Sequence, residues 1–107
     1  MDRHRLAELR SLAFHRVVAE RIRRDPAVLE RARGRVQRWL ADAPHAFHAR
    51  AWAEALAGPT ESVLALLVDP GERACELRQS TPFAGALGAR ERWALWREVA
   101  ERSDADS

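Results

Sequence analysis

Apolar residues recur at spacings of three and four along most of this chain, which is typical of helices with one buried face. The pattern predicts a first helix over residues 5–24. Asp25 and Pro26 predict the start of a second helix, because Asp caps helix N-termini well and Pro is tolerated in the first turn. The second helix has the most regular apolar stripe of the chain, formed by Val28, Leu29, Ala32, Val36, Trp39 and Leu40.

Turn-forming residues divide the remainder of the chain into further short helices. Pro44 predicts the start of a third helix and Gly58 its end. The apolar positions of this helix are Phe47, Ala51, Trp52, Ala55 and Leu56. The apolar run at 60–68 predicts a fourth helix, since the chain has no second strand with which a strand could pair. Asp69 resembles the cap of a fifth helix, and residues 89–102 predict a last one.

The segment from Arg78 to Leu87 differs from the helices around it, because it combines polar residues with Pro and Gly. It predicts a packed connection in which Phe83 plugs the bundle and Gly85 adopts an uncommon backbone angle. Three polar residues are expected to bond backbone groups here: Gln79, Ser80 and Thr81. Since loops on a rigid scaffold often carry binding residues, this segment is also the first candidate contact surface.

The expected fold class is therefore all-α, a compact bundle of about five to six short helices. Residues 1–102 are expected to form a single helical domain, since 107 residues suffice for one core but not for two. The remaining residues, 103–107, are small or acidic and predict a disordered tail.

Composition indicates the origin and compartment of the protein. All eighteen basic residues are Arg, and Lys, Asn and Tyr are absent. The missing residues have AT-rich codons, so the bias indicates a bacterium with a GC-rich genome rather than selection for the guanidinium group.

Cys75 is the single cysteine, which leaves no internal disulfide and favours a reducing cytosol. No apolar stretch approaches the roughly 20 residues that span a bilayer, and no signal core follows the N-terminus, so we expect a cytoplasmic protein without membrane contact.

Positive charge is concentrated in the first part of the chain. Residues 1–40 contain eleven arginines and five acids, whereas residues 41–107 contain seven arginines and eleven acids. The asymmetry predicts either a face for nucleic acid or a packing in which the two halves neutralise each other or a partner. The candidate nucleic-acid contacts are Arg21, Arg23, Arg24, Arg31, Arg35 and Arg38. Helices one and two lack the longer turn of a helix-turn-helix, which argues against sequence-specific binding.

No arrangement of residues indicates catalysis or a metal site. His45 and His48 could face one ligand, yet no third ligand lies at a suitable spacing. Cys75 has no nearby base and is expected to be a small buried apolar residue. We expect His4 and His15 at the surface. Phosphate-binding Gly-rich loops and nucleophile motifs are absent as well, so we predict no enzyme activity, no catalytic residues, no cofactor and no metal.

Four tryptophans occur without any tyrosine. Trp39 and Trp52 lie on predicted apolar faces and are expected in the core. Trp93 and Trp96 are three apart on the last helix, with arginines on either side. This pair fits either core packing or a protein interface, because aromatic residues beside arginines are typical interface anchors.

Three motifs together carry a resemblance: Leu12, His15 and Ile22 in helix one; Asp25-Pro26 followed by Leu29; and Leu77-Arg78-Gln79-Ser80-Thr81-Pro82-Phe83-Ala84-Gly85 followed by Glu91-Arg92-Trp93. They resemble a group of short, largely uncharacterised actinobacterial helical proteins that are associated with antitoxin-like partners of small toxin enzymes. The resemblance covers most of the chain and implies an interaction role, without assigning a role to any residue. Unlike many antitoxins, the chain has no DNA-binding domain followed by a neutralising tail, which argues against operator autoregulation.

We therefore predict a helical protein-interaction module, whose specific form is an antitoxin that binds and neutralises a toxin enzyme. The predicted contact residues are Arg78, Gln79, Ser80, Phe83, Arg90, Trp93, Trp96 and Arg97. The alternative is a non-enzymatic, basic DNA-binding regulator that uses the first two helices. A partner protein thus ranks above nucleic acid, and self-association stays open.

Overall fold

A computed structural model describes residues 2–106 as six α-helices and one short 3-10 turn, without a strand. The all-α fold class is confirmed for this part of the chain. In chain order the elements are α1 (Arg3–Arg24), α2 (Ala27–Asp42), α3 (Phe47–Ala57), α4 (Thr60–Val68), α5 (Glu72–Arg78), the 3-10 turn (Ala84–Ala86) and α6 (Ala89–Asp106). None of the helices in residues 2–106 has the combined length and apolar character that crossing a membrane requires.

Aspartate side chains at several turns explain where helices begin. Oδ1 of Asp2 accepts a hydrogen bond from the backbone N–H of Arg5 at 2.7 Å and caps α1. Oδ1 of Asp25 accepts from Ala27 N–H at 3.1 Å, so α2 begins directly after the Asp25-Pro26 pair, as predicted. Asp69 accepts from Gly71 N–H at 2.8 Å and turns the chain between α4 and α5.

The core forms around α1, which contacts α2, α4, α5 and α6. Each of the first four helices contributes side chains that are almost completely buried: Val18 from α1, Val36 from α2, Trp52 from α3, and Val63 and Leu67 from α4. Apolar side chains of α6, the longest helix after α1, pack against this core from outside. Most residues of α6 are nevertheless exposed, so this helix presents a large surface to water.

Two sequence predictions about helix faces and ends are wrong. Phe47 was expected on the buried side of α3, but it is 85% exposed. The helix buries Ala49, Trp52 and Leu56 instead, and Phe47 lies on the opposite side of the helix from these residues. The predicted tail is also wrong for residues 103–106, because α6 continues to Asp106 and the buried Ser103 hydroxyl donates to the Val99 carbonyl at 2.9 Å. Ser107 lies outside the described residues.

The connection between α5 and α6 is packed, as predicted, but without an uncommon backbone angle. No glycine among residues 2–106 has a positive φ, so the prediction for Gly85 is wrong. Gly85 instead allows a close approach: a Cβ there would lie 3.3 Å from Nη2 of Arg35. Phe83 is buried and plugs the bundle, as the sequence indicated. Cys75 is half-buried, not fully buried, and its thiol lies 3.6 Å from the Pro70 carbonyl oxygen.

Candidate functional site

Three residues on the outer side of α6 form an exposed row. Arg90, Trp93 and Arg97 follow one another at spacings of three and four, so they lie on one face of the helix. Both arginines are exposed, and the indole of Trp93 is 65% exposed. We call these three residues the outer row. It presents one large apolar ring between two positive charges.

Trp96 has a different position from Trp93, although only three residues separate them. Trp96 is half-buried, and its ring lies edge-on to that of Phe14, with centroids 6.3 Å apart and the planes at 76°. Leu95 and the buried Val99 lie on the same inward side of α6. The sequence left open whether Trp93 and Trp96 belong to the core or to an interface, and the two residues differ. Trp96 belongs largely to the packing between α6 and α1, whereas Trp93 faces the solvent.

Two of the predicted contact residues are buried within the chain, so their assignment to a partner surface is corrected. The Phe83 ring lies edge-on to Trp52 at 6.1 Å and to His15 at 6.4 Å. Arg78 is only 2% exposed, and its Nη1 donates to the Leu66 carbonyl at 2.9 Å. Neither side chain offers an exposed surface to a partner protein, because both fill the space between α1 and the helices after it.

The other two loop candidates differ from each other in exposure. Gln79 is exposed and available to a partner. Ser80 is half-buried, and its hydroxyl donates to the Leu77 carbonyl at 3.1 Å and accepts from the Trp52 Nε1–H at 3.3 Å. Trp52 Nε1–H also donates to the Leu77 carbonyl at 3.1 Å. Ser80 therefore fixes the end of α5 against α3, and Gln79 is the one predicted loop contact with an open surface.

His15 is buried, which corrects its predicted surface position. Only 1% of the residue is exposed, and its ring joins α1 to the segment after α5. Nδ1 lies 2.7 Å from the Ser11 carbonyl oxygen, so it must carry the proton and donate. Nε2 then accepts from the Thr81 hydroxyl at 2.8 Å, and Thr81 Oγ1 accepts in turn from Phe83 N–H at 3.1 Å. Burial lowers the pKa of His15 to about 4, and the charge of Arg78 acts in the same direction.

Two of the three arginines at the end of α1 form ion pairs with acids. Arg21 pairs with Glu91 of α6, and this hydrogen bond lowers the pKa of Glu91 below its usual value. Arg23 pairs with Glu20 at 3.0 Å. Arg24 is exposed. The Arg21 pair joins α1 to α6, so this predicted nucleic-acid contact has a structural role.

A second positive row lies on α2. Arg31, Arg35 and Arg38 are spaced by four and three residues, so they share one face of the helix. Arg31 and Arg38 are exposed, whereas Arg35 is half-buried beside Gly85. The only acid that forms an ion pair with this row within the described residues is Asp25, 4.0 Å from Arg31. We call these three residues the α2 row.

His45 and His48 are the candidate pair of metal ligands in the sequence. His45 and His48 are exposed, and the His48 ring lies against Trp39 with centroids 5.2 Å apart. Within residues 2–106, no three His, Cys, Asp or Glu side chains are grouped closely enough to hold a metal ion.

This geometry defines a small all-helical protein whose last helix carries the exposed outer row. No family model matches the chain, and no curated protein or solved structure is significantly similar to it. Its function must therefore be inferred from its own residues.

Proposed function

We propose that this protein is a helical interaction module that binds a partner protein through the outer row of α6. The proposal depends on the 65% exposure of the Trp93 indole. Apolar surface in water is unfavourable by roughly 25 cal/mol per Å², so covering an indole contributes strongly to association. Trp and Arg are also the residues that most often dominate the energy of protein interfaces.

The chemistry of the outer row indicates what kind of partner surface would fit it. Neither Arg90 nor Arg97 forms an ion pair within residues 2–106. Guanidinium groups bind carboxylates through paired hydrogen bonds. The complementary partner surface is therefore an apolar recess for the indole of Trp93 with a carboxylate on each side of it.

The specific form of this proposal is that the partner is a small toxin enzyme, which the protein binds and neutralises. Its support is the resemblance of the sequence motifs to actinobacterial proteins associated with such systems. In this form the outer row covers an acidic part of the enzyme surface, and inhibition follows from occupying that surface.

Affinity capture with two matched variants tests the interaction. Trp93→Ala should lower partner affinity by about 2 kcal/mol, roughly thirtyfold, because the variant lacks the central apolar contact. Phe47→Ala is the control, since Phe47 is the other strongly exposed aromatic residue and lies on a different helix. Tagged wild type and both variants are incubated with lysate of the source organism, with and without nuclease, and retained proteins are quantified by mass spectrometry.

A protein retained at stoichiometric levels by wild type and Phe47→Ala after nuclease, and lost from Trp93→Ala, is the expected result. Equal retention by Trp93→Ala would contradict the assignment to the outer row. Circular dichroism should show unchanged helix content in both variants, because substitutions at exposed sites usually alter stability by less than about 0.5 kcal/mol.

The α2 row supports a second candidate function, binding to the phosphate backbone of nucleic acid. Within residues 2–106, Arg21 is the arginine of the first 40 residues for which an ion pair with the other half is shown, and its partner is Glu91. Arg31 and Arg38 are exposed on one face, so they could contact adjacent phosphates together. Such contacts provide affinity without sequence selectivity.

The salt dependence of DNA binding tests this second candidate. Replacing Arg31 and Arg38 together by Gln should reduce the slope of log affinity against log salt by about 2, since each phosphate contact contributes about 0.9. Arg97→Gln removes the same charge from α6 and should leave the slope closer to that of wild type. Equal slopes in wild type and the Arg31/Arg38 variant would exclude the α2 row as a phosphate contact.

A further inference from the structure

A groove lies where α1, the end of α5 and α6 meet. Its volume is about 320 Å³, and three arginines from these three helices line it, namely Arg10, Arg78 and Arg92. None of its lining residues is Asp or Glu. Two neighbouring pockets differ in this respect, because Glu8 lines both of them, and one of the two shares Arg78 with the groove. Three positive charges thus converge in this groove without an acid among its lining residues.

Arg78 is the central feature of the groove, because it is a buried cation without a counterion. Its Nη1 donates to the Leu66 carbonyl and its Nη2 contacts the Cys75 sulfur at 3.4 Å. Its Nε is buried and has no hydrogen-bond partner. No carboxylate within residues 2–106 forms an ion pair with Arg78. A buried guanidinium stays protonated, so its charge is unfavourable until an anion or further hydrogen bonds compensate it.

Arg10 repeats this situation on α1. Its Nε is also buried without a hydrogen-bond partner, although the residue as a whole is half-buried. Arg92 is exposed at the mouth of the groove on α6. Neither residue forms an ion pair within the described part of the chain. The groove is therefore lined by two arginines that each have a buried Nε–H without an acceptor, and by the exposed Arg92.

The groove also has an apolar side, formed by the rings of Phe14 and Trp96. The two rings lie edge-on to each other, so they form a wall with two differently oriented aromatic surfaces. A flat apolar group could pack against this wall while an attached anionic group reaches the arginines.

We propose that this groove binds a small organic anion: its carboxylate or phosphate lies against Arg78, Arg10 and Arg92, and its flat apolar part packs on Trp96 and Phe14. An oxyanion in the groove accepts from the exposed guanidinium of Arg92 and neutralises the charges of Arg78 and Arg10, which have no carboxylate partner. The inference is independent of the proposed partner binding, because the exposed Trp93 does not line the groove.

Nuclear magnetic resonance of the arginine Nε–Hε groups in the full chain tests the site directly. The ¹⁵N-labelled protein is titrated separately with benzoate, phenyl phosphate, inorganic phosphate and the neutral analogue benzamide. Saturable shifts of the Arg78 and Arg10 signals are expected with benzoate or phenyl phosphate, and the stronger of the two identifies the preferred anionic group. Benzamide and inorganic phosphate should each bind at least about tenfold more weakly, since each lacks one of the two recognised parts.

Two exposed arginines of α6 provide matched variants. Arg92→Gln should weaken binding of the better aromatic anion by about tenfold, because one charge-assisted hydrogen bond is lost. Arg97→Gln removes the same charge from the same helix outside the groove and should change the affinity by less than about twofold, since surface charges are screened. Both residues are exposed, so neither variant removes a buried group.

Several results would overturn the proposal. One is the absence of saturable shifts at Arg78 with either aromatic anion. Equally strong binding of benzamide would show that the charge is not recognised, and equally strong binding of inorganic phosphate would show that the aromatic wall is not used. An equal loss of affinity in Arg92→Gln and Arg97→Gln would indicate general attraction to a positive surface in place of a site.

Discussion

At the scale of single residues, two buried polar side chains lie beside each other in the interior and influence each other. Arg78 carries a positive charge. His15 lies close enough for that charge to lower its pKa, in addition to the larger effect of burial. The imidazole is therefore neutral in the folded protein, which matches the hydrogen bonds it makes to Ser11 and Thr81.

The neutral state of His15 predicts a loss of stability in mild acid. Its pKa is about 4 in the folded protein and 6.5 in the absence of burial. Above pH 6.5 the ring is neutral in both states, and its contribution is fully present. As the pH falls from 6.5 towards 4, only the unfolded chain takes up the proton, so the free energy of unfolding should fall by about 2 kcal/mol between pH 7 and pH 5.

Urea unfolding at a series of pH values measures this effect, and His15→Gln is its control. The variant retains a side chain that can accept from the Thr81 hydroxyl but does not titrate. Between pH 7 and pH 5, the free energy of unfolding of the variant should therefore fall by about 2 kcal/mol less than that of wild type, whatever the absolute stability of the variant. The same pH dependence in wild type and His15→Gln would show that His15 is not the titrating group.

Some residues of the candidate sites could be placed from the sequence and others could not. The spacing of Arg90, Trp93 and Arg97 places them on one helix face, because that relation is local. The burial of His15 has no local signal, since its partner Thr81 is 66 positions away in the sequence. The burial of Arg78 was likewise unpredicted, because an arginine between polar neighbours usually lies at the surface.

At the scale of elements, the helix boundaries that depend on short-range chemistry were predictable. Asp25 accepts from Ala27 N–H in the first turn of α2, and α3 ends just before Gly58-Pro59, since a proline cannot continue a helix, so both boundaries follow from neighbouring residues. The end of α6 was not predictable in this way. Its last turn has no apolar periodicity, yet Ser103 is buried there and bonds the Val99 carbonyl. Tertiary burial and side-chain bonding therefore extend this helix beyond its sequence signal.

Gly34, in the middle of α2, predicts a stabilising substitution. A Cβ at this position would meet only the flexible end of Arg38, at 3.8 Å, which is an ordinary contact. Because Ala is a better helix former than Gly by about 1 kcal/mol, Gly34→Ala should raise the free energy of unfolding by about that amount. Urea unfolding at neutral pH measures the change.

Gly88 provides the control for this substitution. It directly precedes the first residue of α6, and nothing lies within 4 Å of a Cβ built there. Gly is favoured over Ala at this flanking position, so Gly88→Ala should bring no stabilisation. A similar gain in both variants would indicate an effect on the unfolded chain rather than on helix α2.

At the scale of the whole molecule, most ion pairs are local, whereas the apolar core is shared by several helices. Within residues 2–106, the Arg21–Glu91 ion pair joins the first 40 residues to the remainder, whereas six other ion pairs connect near neighbours. The two oppositely charged halves therefore do not neutralise each other by pairing, and both the outer row and the α2 row remain available. The apolar core, in contrast, includes residues of the first four helices together with Phe83 and Leu87.

This shared core predicts that the protein unfolds in one cooperative transition. Side chains of α6 pack against the same core, and Arg21–Glu91 ties this helix to α1, so no part of residues 2–106 has a separate apolar centre. Far-ultraviolet circular dichroism reports on all helices, whereas fluorescence of the buried Trp52 reports on the centre, once Trp39, Trp93 and Trp96 are replaced by Phe. The two probes should give coincident urea transitions with a slope of about 1–3 kcal/mol per M. Loss of part of the helical signal before the Trp52 signal changes would instead show that α6 detaches as a separate unit, and would contradict the single domain predicted from the length of the chain.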